Sequence, residues 1–276
     1  MKNTHEKIII IKLGGSVITI KNLFETPNIP VINRISNELK EISELYPIIV
    51  VHGGGSFGHP HAHKYSINEG FKRMDQLNGI FKTHEAMIRL NNIIINKLFD
   101  AGLIPFPFQP SAIITTKMGE IESANITPII KAMKLGFIPV LYGDIVFDHE
   151  RGFCILSGDK ICSYLAISLK NSIDKVIFSC DVDGIYTSDP KIDKFSKLIK
   201  NLTFNDIIKI LENENSNNIV KNIDVTGGMK GKLIEILKIV SHGIEVRIIN
   251  ALIPGRLVDA AYNSNFHGSR IIPLRE

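Results

Sequence analysis

Three glycine-rich stretches, each carrying a lysine or a histidine, contain the residue types that bind anions. They are KLGGS at residues 12–16, GGGSFGH at residues 53–59 and DVTGGMK at residues 224–230. Glycines let backbone N–H groups approach a ligand closely, and a helix that begins there adds a favourable dipole for negative charge. The first and third stretches also fit simple turns whose lysines point to solvent. Because strand ends meet at one edge of an open α/β sheet, the three stretches together favour one site for a polyanion. Its expected side chains are Lys12, Lys21, His59 and Lys230.

The middle stretch also matches the G-x-G-x-x-G pattern of dinucleotide-binding proteins, through Gly53, Gly55 and Gly58. That pattern needs a short βαβ unit with an acidic residue at the end of the second strand, about 20 residues further on. Asp75 stands near that distance, but it lies in polar sequence without strand character. We therefore interpret the match as accidental. The sequence also lacks the G-x-x-x-x-G-K-[ST] phosphate loop and the H-R-D and D-F-G motifs of protein kinases.

Three alternating histidines, His59, His61 and His63, raise the possibility of a metal site. In an extended segment alternate residues share a face, so three imidazoles could meet one ion. No carboxylate or cysteine stands close by in the sequence to complete such a site. We therefore expect no metal there. One histidine is expected to act on an anion, and the other two to be surface residues.

Two acidic motifs follow apolar runs and could serve the same site. Ser157 is a typical helix N-cap, and Asp159 beside it either caps the same helix or holds two lysines in place. Asp181 and Asp183 follow the run KVIFSC. Asp183-Gly184 is an ordinary turn, whereas Asp181 at the end of a strand is better placed to contact a nucleotide or its metal.

The elements that must position these residues alternate between strands and helices. Continuous β-branched runs are typical of strands buried on both faces of a parallel sheet. They occupy residues 7–13, 46–52, 137–142, 175–180 and 245–250. Helical patterns occupy residues 30–45, 69–100, 125–135, 159–170, 203–212, 227–241 and 255–262. The alternation predicts an α/β fold, a three-layer αβα sandwich around a mainly parallel central sheet. Residues 211–222 are rich in Asn and predict an exposed loop.

Composition excludes several classes of protein. The chain has 276 residues, 44% of them hydrophobic and 22% charged, as in a soluble globular protein. Its net charge of +4 is dispersed and too small to indicate nucleic-acid binding. Neither a signal peptide nor a membrane span is predicted, and three cysteines without a C-x-x-C pair predict a cytoplasmic protein with reduced thiols.

The motifs, taken together, resemble those of the amino acid kinase superfamily, and within it the isopentenyl phosphate kinase family. The matching segments stand in the family's order over nearly the whole chain: residues 10–22, 50–65, 141–146, 155–160, 179–186 and 224–232. K-x-G-G-S is shared across the superfamily. His59 in G-G-G-x-F-G-H-P is more specific, because it looks like the histidine that binds the acceptor phosphate. Fosfomycin kinases of the same superfamily look similar at that position.

The resemblance implies two lobes, an acceptor-binding lobe at residues 1–172 and an ATP-binding lobe at residues 173–276. It implies catalytic roles for Lys12, Lys21, His59 and Asp159, and acceptor contacts from Gly54, His59 and Gly158. The nucleotide contacts that it implies are Lys12, Gly14, Gly15, Ser16, Gly55, Asp181, Gly227 and Lys230. Two departures from the family pattern are Lys160, where an acidic residue is common, and Ile20, where a polar residue is usual.

The activity implied by the resemblance is transfer of phosphate from ATP, with Mg²⁺, to isopentenyl phosphate, giving isopentenyl diphosphate for isoprenoid biosynthesis by a variant of the mevalonate pathway. A homodimer is also implied. For the isoprenoid tail we expect an apolar pocket near Ile80, Met87 and Ile94, which stand at helical spacing and also fit a plain core stripe. Alternatives are a kinase of another phosphate or phosphonate, such as fosfomycin, and a non-catalytic nucleotide-binding protein of the same fold. An amino-acid or carbamate kinase would leave His59 without a role.

Overall fold

The computed structural model describes residues 6–188, 193–213 and 227–274. Its strands are β1 (Ile8–Leu13), β2 (Ile48–His52), β3 (Pro105–Pro107), β4 (Ile114–Lys117), β5 (Glu120–Ala124), β6 (Ile138–Tyr142), β7 (Asp144–Asp148), β8 (Gly152–Leu156), β9 (Ile173–Cys180), β10 (Asn201–Thr203), β11 (Glu245–Asn250) and β12 (Ser269–Ile272). Its α-helices are α1 (Gly15–Ile18), α2 (Ile29–Leu45), α3 (Gly55–Lys64), α4 (Gln76–Asp100), α5 (Pro110–Ile113), α6 (Thr127–Lys134), α7 (Gly158–Ser168), α8 (Phe204–Asn213), α9 (Gly227–Ser241) and α10 (Arg256–Tyr262).

One eight-stranded sheet forms the middle layer, in the order β10-β12-β11-β9-β1-β2-β6-β3. Every neighbouring pair in it is parallel except β11 and β12. The predicted mainly parallel sheet is therefore confirmed. β1 lies at its centre, between β2 and β9, so the first apolar run of the chain is covered on both edges as well as on both faces.

Alternate residues of β1 point to two separate cores. Ile10 packs into the core shared with α7, α8 and α9, whereas Ile9 and Ile11 pack into the core shared with α2, α4 and α10. Successive side chains of a strand point to opposite faces, so a strand buried on both sides must be apolar throughout. Helices thus cover both faces of the sheet, which confirms the predicted three-layer αβα sandwich.

A second, four-stranded sheet was not predicted. Its order is β5-β4-β7-β8, and it begins where β6 ends, because only Gly143 separates β6 from β7. β7 and β8 form an antiparallel hairpin that leads directly into α7. The small sheet therefore stands beside the carboxyl ends of the central strands, where a ligand would bind.

Most helix predictions are confirmed, with two differences. The helix predicted from residue 69 begins at Gln76, because Gly70 adopts a left-handed φ of 78° and ends a short 3₁₀ turn at Ile67–Glu69. Within the predicted loop at residues 211–222, residues 211–213 belong to α8, and the remainder lies outside the described residues. Among the residues that the structure describes, no helix is both long enough and apolar enough to cross a bilayer.

Candidate active site

The carboxyl ends of β1, β2 and β9 meet at one edge of the central sheet. Leu13 is paired with His52 on one side and with Ser179 on the other. The backbone N–H of Gly14 donates to the carbonyl of Ser179 over 2.9 Å, and that of Gly53 donates to the carbonyl of Leu13 over 2.9 Å. The glycine turns of the first two strands are thereby joined at the mouth of a cavity of about 1050 Å³.

The two glycine turns pack backbone against backbone. A Cβ atom on Gly15 would lie 2.3 Å from the N atom of Gly55, and one on Gly55 would lie 2.1 Å from Oγ1 of Thr19. Gly55 also has a φ of 47°, which a side chain disfavours. Thr19 links the turns, since its Oγ1 donates to the carbonyl of Gly15 and accepts from the N–H of Ser56. Glycine is therefore required here by the contact between the turns, besides any contact with a ligand.

Asp159 holds two lysine ammonium groups together at the floor of the cavity. Its Oδ1 lies 3.0 Å from Nζ of Lys12, and Nζ of Lys232 lies 3.2 Å from each carboxylate oxygen. Ser157 caps α7, with its Oγ accepting from the N–H of Lys160, and so fixes Asp159 in the first turn. Burial alone would raise the pKa of Asp159, but the two lysines outweigh burial and lower it to about 2. The cluster keeps one net positive charge, from two ammonium groups and one carboxylate.

Lys232 lines the cavity and was not singled out in the sequence analysis. Lys230, which was predicted, lies outside the lining of this cavity as far as the described residues define it. The signal was present in the periodicity of α9. Lys232 stands four residues before the fully buried Ile236, and its Nζ lies 5.0 Å from the ring centre of Phe178. A lysine on the buried stripe of a helix requires a partner, and Asp159 supplies it.

His59 and Lys21 line the same cavity as Lys12. His59 lies on α3 with part of its side chain exposed, and its pKa is lowered by partial desolvation and by the positive charge of Lys12. The imidazole is therefore neutral at pH 7 and has one N–H to donate. Lys21 is exposed and comes from the segment between α1 and α2. Lys12 and His59 thus face one chamber, as the anion-site hypothesis requires.

The histidine run is helical and not extended, so the premise of the metal hypothesis is wrong. On a helix, residues two apart point to opposite sides, which separates His61 from His59. His61 is also not the surface residue that was expected, since its Nε2 lies 2.7 Å from Oε1 of Glu25 and its side chain is 14% exposed. His63 is exposed. The part of the chain that the structure describes contains no cluster of three metal-binding side chains.

Oxygen donors lie at the opposite wall, near the end of β9. Oγ of Ser16 donates to Oδ1 of Asp181 over 2.9 Å, and both residues line the cavity. Gly227 is the first residue of α9, while residues 224–226 of the predicted DVTGGMK motif lie outside the described residues. This wall combines the glycine turn at Gly14 and Gly15 with a carboxylate and a hydroxyl group, which suits a nucleotide and its metal.

An apolar end extends the cavity past His59. Met87 of α4 lines it, together with Ala62, Ile145 and Ile155. A Cβ atom on Gly54 would lie 2.9 Å from Sδ of Met87, so Gly54 lies directly against the apolar wall. The other residue predicted to contact the tail, Ile80, packs beside a small cluster around Phe153, and Ile94 of the same helical stripe is buried in the core.

The comparison with known proteins agrees with this geometry. The family model described as the amino acid kinase family matches residues 7–250. An isopentenyl phosphate kinase of Methanothermobacter thermautotrophicus is 36% identical over 96% of this chain and 98% of its own length. The chain belongs to the amino acid kinase family, in its isopentenyl phosphate kinase branch.

Other relatives and solved structures of this family agree. An isopentenyl phosphate kinase of Methanocaldococcus jannaschii is 37% identical over 81% of this chain and 84% of its own length. A crystal structure of an isopentenyl phosphate kinase superposes with a TM-score of 0.81 at 32% identity, covering 96% of this chain and 99% of the other. A UMP kinase of Ureaplasma parvum, at 18% identity and a TM-score of 0.64, shares the fold. The family and the fold implied by the sequence motifs are thus confirmed.

Proposed function

We propose that this protein transfers the γ-phosphoryl group of ATP to isopentenyl phosphate, giving isopentenyl diphosphate and ADP. One observation carries the proposal: Lys12, Lys232 and His59 surround a single cavity, with Asp159 between the lysines. The names of the relatives support the choice of acceptor. The fosfomycin alternative is not favoured, since these relatives are isopentenyl phosphate kinases.

The acceptor needs no general base. A phosphate monoester has a second pKa near ~6, so its attacking oxygen is already anionic at neutral pH. The obstacle is the repulsion between two polyanions, and catalysis comes from positioning and charge stabilisation. His59, neutral and with one N–H, donates to the acceptor phosphate. Lys12 and Lys21 stabilise charge on the transferring group, and Lys232 takes the role on the β- and γ-phosphates that the sequence motif predicted for Lys230.

Asp159 is proposed to orient the two ammonium groups without cancelling their charge. With a pKa near 2 it stays ionised at every working pH, so it never donates a proton to the substrate. One carboxylate between two lysines leaves one positive charge for the phosphates. Gly158 beside it is buried, and a Cβ atom there would lie 3.1 Å from the carbonyl oxygen of His52, so the first turn of α7 packs closely against the end of β2.

The nucleotide is proposed to lie between the turns of β1 and β9. Backbone N–H groups of Gly15 and Gly55, together with the first turn of α9 at Gly227, would contact its phosphates beside Gly14, whose own N–H is held by Ser179, while Gly54 contacts the acceptor phosphate. The Mg²⁺ that accompanies ATP prefers oxygen ligands, and Asp181 and Ser16 are suited to hold it. When bound, the ion would draw charge from the phosphates.

We also propose the lobe assignment, the homodimer and the cytoplasmic location from the sequence motifs. Residues 1–172 contribute His59 and the apolar end of the cavity, and residues 173–276 contribute Asp181 and Lys232, which supports an acceptor lobe and an ATP lobe. All three cysteines are buried and unpaired, in keeping with a reducing compartment.

The deciding experiment is ADP release by the purified protein with isopentenyl phosphate, with fosfomycin and without acceptor, each with and without Mg²⁺. We expect turnover that depends on isopentenyl phosphate and on Mg²⁺. Faster turnover with fosfomycin would overturn the acceptor assignment. ATP binding without any acceptor-dependent turnover would instead favour the non-catalytic alternative.

A further inference from the structure

Lys21 lies on a segment that forms neither a helix nor a strand. The segment joins α1 to α2, and several of its side chains are exposed, including Leu23 and Phe24. Two backbone hydrogen bonds close the base of the segment. The N–H of Ile20 donates to the carbonyl of Thr26, and the N–H of Asn28 donates to the carbonyl of Ile18. A lysine that must meet a phosphate within a few tenths of an ångström needs more restraint at the tip of such a segment.

Pro60 creates the attachment point for that tip on α3. Proline has no N–H, so within a helix the carbonyl four residues earlier loses its partner. That carbonyl belongs to Ser56, and it accepts instead from the backbone N–H of Glu25 over 3.1 Å. Oγ of Ser56 accepts from the N–H of Thr26 over 3.3 Å. The segment carrying Lys21 is therefore docked on the helix that carries His59.

The carboxylate of Glu25 completes the attachment through a hydrogen bond with His61 and an ion pair with Arg89. Oε1 lies 2.7 Å from Nε2 of His61, and Oε2 lies 2.6 Å from Nη2 of Arg89 on α4. The Glu25 side chain is 18% exposed. Burial alone would raise the pKa of Glu25, but His61 and Arg89 outweigh it and lower the pKa, so the carboxylate is ionised at neutral pH. Its backbone has a φ of 45°, a conformation that costs a non-glycine residue free energy and that the contacts must offset.

Each partner of Glu25 stands close in sequence to a residue that lines the cavity. His61 is two residues from His59 on α3, and Arg89 is two residues from Met87 on α4. Since residues two apart on a helix point to opposite sides, holding the outer residue fixes the direction of the inner one. One carboxylate thus ties together the three elements that bring Lys21, His59 and Met87 to the cavity.

We propose that Glu25, anchored by His61 and Arg89, is a positioning residue that sets Lys21 against the transferring phosphoryl group. This inference rests on the proposed kinase reaction for its kinetic consequences. It also explains why a histidine stands at position 61, which the anion-binding role of His59 leaves unexplained.

The test compares Glu25→Gln, which keeps the shape and removes the charge, with Glu85→Gln. Glu85 also pairs with Arg89, at 2.5 Å, but its side chain is 48% exposed, whereas that of Glu25 is 18% exposed. We expect Glu25→Gln to lower kcat about 10- to 100-fold, with KM for ATP within about twofold of wild type, because displacement by about 1 Å costs up to about 10²-fold. Glu85→Gln should leave both constants unchanged. An unchanged kcat in Glu25→Gln would overturn the proposal.

A double-mutant cycle separates positioning of Lys21 from a general structural effect. If Glu25 acts through Lys21, Glu25→Gln should cause less than about a twofold further loss in a Lys21→Ala background. If Glu25→Gln lowers kcat by the same factor in the Lys21→Ala background as in wild type, a role through Lys21 is refuted. Pro60→Ala restores an N–H that competes for the Ser56 carbonyl, so we expect it to lower kcat about tenfold without lowering the free energy of unfolding.

Hydrogen–deuterium exchange provides a readout that is independent of turnover. In Glu25→Gln, the amides of Glu25 and Thr26 should exchange at least about tenfold faster than in wild type, while Glu85→Gln exchanges like wild type. Unchanged exchange in Glu25→Gln would refute the attachment itself. If the wild-type protein turns over no isopentenyl phosphate, the proposed function fails, and the exchange result still decides whether Glu25 holds the segment.

Discussion

Replacing Asp159 with asparagine tests the centre of the site most directly, because asparagine resembles the neutral form of the carboxyl group. The pKa of Asp159 is about 2 in the folded protein, against an ordinary value of 3.8. Each unit of difference corresponds to about 1.4 kcal/mol between the ionised and the neutral form, so the charge stabilises the fold by about 2 kcal/mol. The side chain is 16% exposed, so solvent screening reduces this value little.

Urea unfolding of wild type and Asp159→Asn is the assay for that value. Because the folded pKa is depressed, the stabilisation is complete above pH 3.8 and is lost as the pH falls toward 2. The variant should therefore be about 2 kcal/mol less stable throughout pH 5–8. The matched control is Asp100→Asn, which removes the same charge from an exposed pair with Lys97 and should change stability by less than about 0.5 kcal/mol.

Turnover provides the second half of this test. Without the carboxylate, Lys12 and Lys232 repel each other and lose their common orientation, so kcat should fall by about 10²-fold. ATP binding should weaken little, because both positive charges remain. A loss of less than about 0.5 kcal/mol in Asp159→Asn, together with a wild-type kcat, would refute the view that this carboxylate organises the lysines.

Three further predictions address individual side chains. Lys232→Met should lower the steady-state kcat by about 10²–10³-fold, and this loss should exceed that in Lys230→Met. A loss of kcat in Lys232→Met no greater than that in Lys230→Met would contradict the placement of Lys232. The pKa of His59, followed by NMR, should rise when isopentenyl phosphate binds, and His59→Ala should lower kcat/KM for that acceptor by about 10²-fold. An unchanged pKa on binding would refute contact between His59 and the acceptor phosphate. Burial lowers the pKa of His52 to about 4 from 6.5, so its contribution of about 3 kcal/mol is complete above pH 6.5 and is lost as the pH falls to 4. Between pH 7 and 5, the free energy of unfolding in urea should depend less steeply on pH in His52→Gln than in wild type. Equal slopes in the two proteins would refute this contribution of His52.

Sequence periodicity was sufficient to predict the five longest strands of the central sheet and seven of its helices, whereas β3, β10 and β12, with three or four residues each, were not predicted. The run IIIIKL is β1, and its apolar residues on both faces indicated a strand inside the sheet. The small sheet was missed because its strands are short and partly exposed. β5, for example, has no buried residue. Such strands depend on pairing with neighbours that are distant in sequence, so local patterns do not indicate them.

The candidate site was also predicted in part. Lys12, Lys21, His59 and Asp159 were predicted from motifs, and all four line one cavity. The metal hypothesis placed the histidine run in an extended segment, whereas the run is helical although Pro60 disfavours a helix interior. In the folded chain Gly58 has no side chain, so α3 packs closely on Met87 of α4, and this tertiary contact outweighs the local preference.

The contact between Gly15 and Gly55 has a consequence for how such a protein can change over generations. A methyl group at either position would clash with the main chain of the other turn, and at Gly55 also with Thr19. Because the clash is with main chain, no substitution in the facing turn relieves it, and a library aimed at new acceptors gains nothing from randomising the two positions. The apolar end of the cavity is lined by Met87, Ile145 and Ile155, so diversity introduced at these side chains alters its shape while the two turns stay intact.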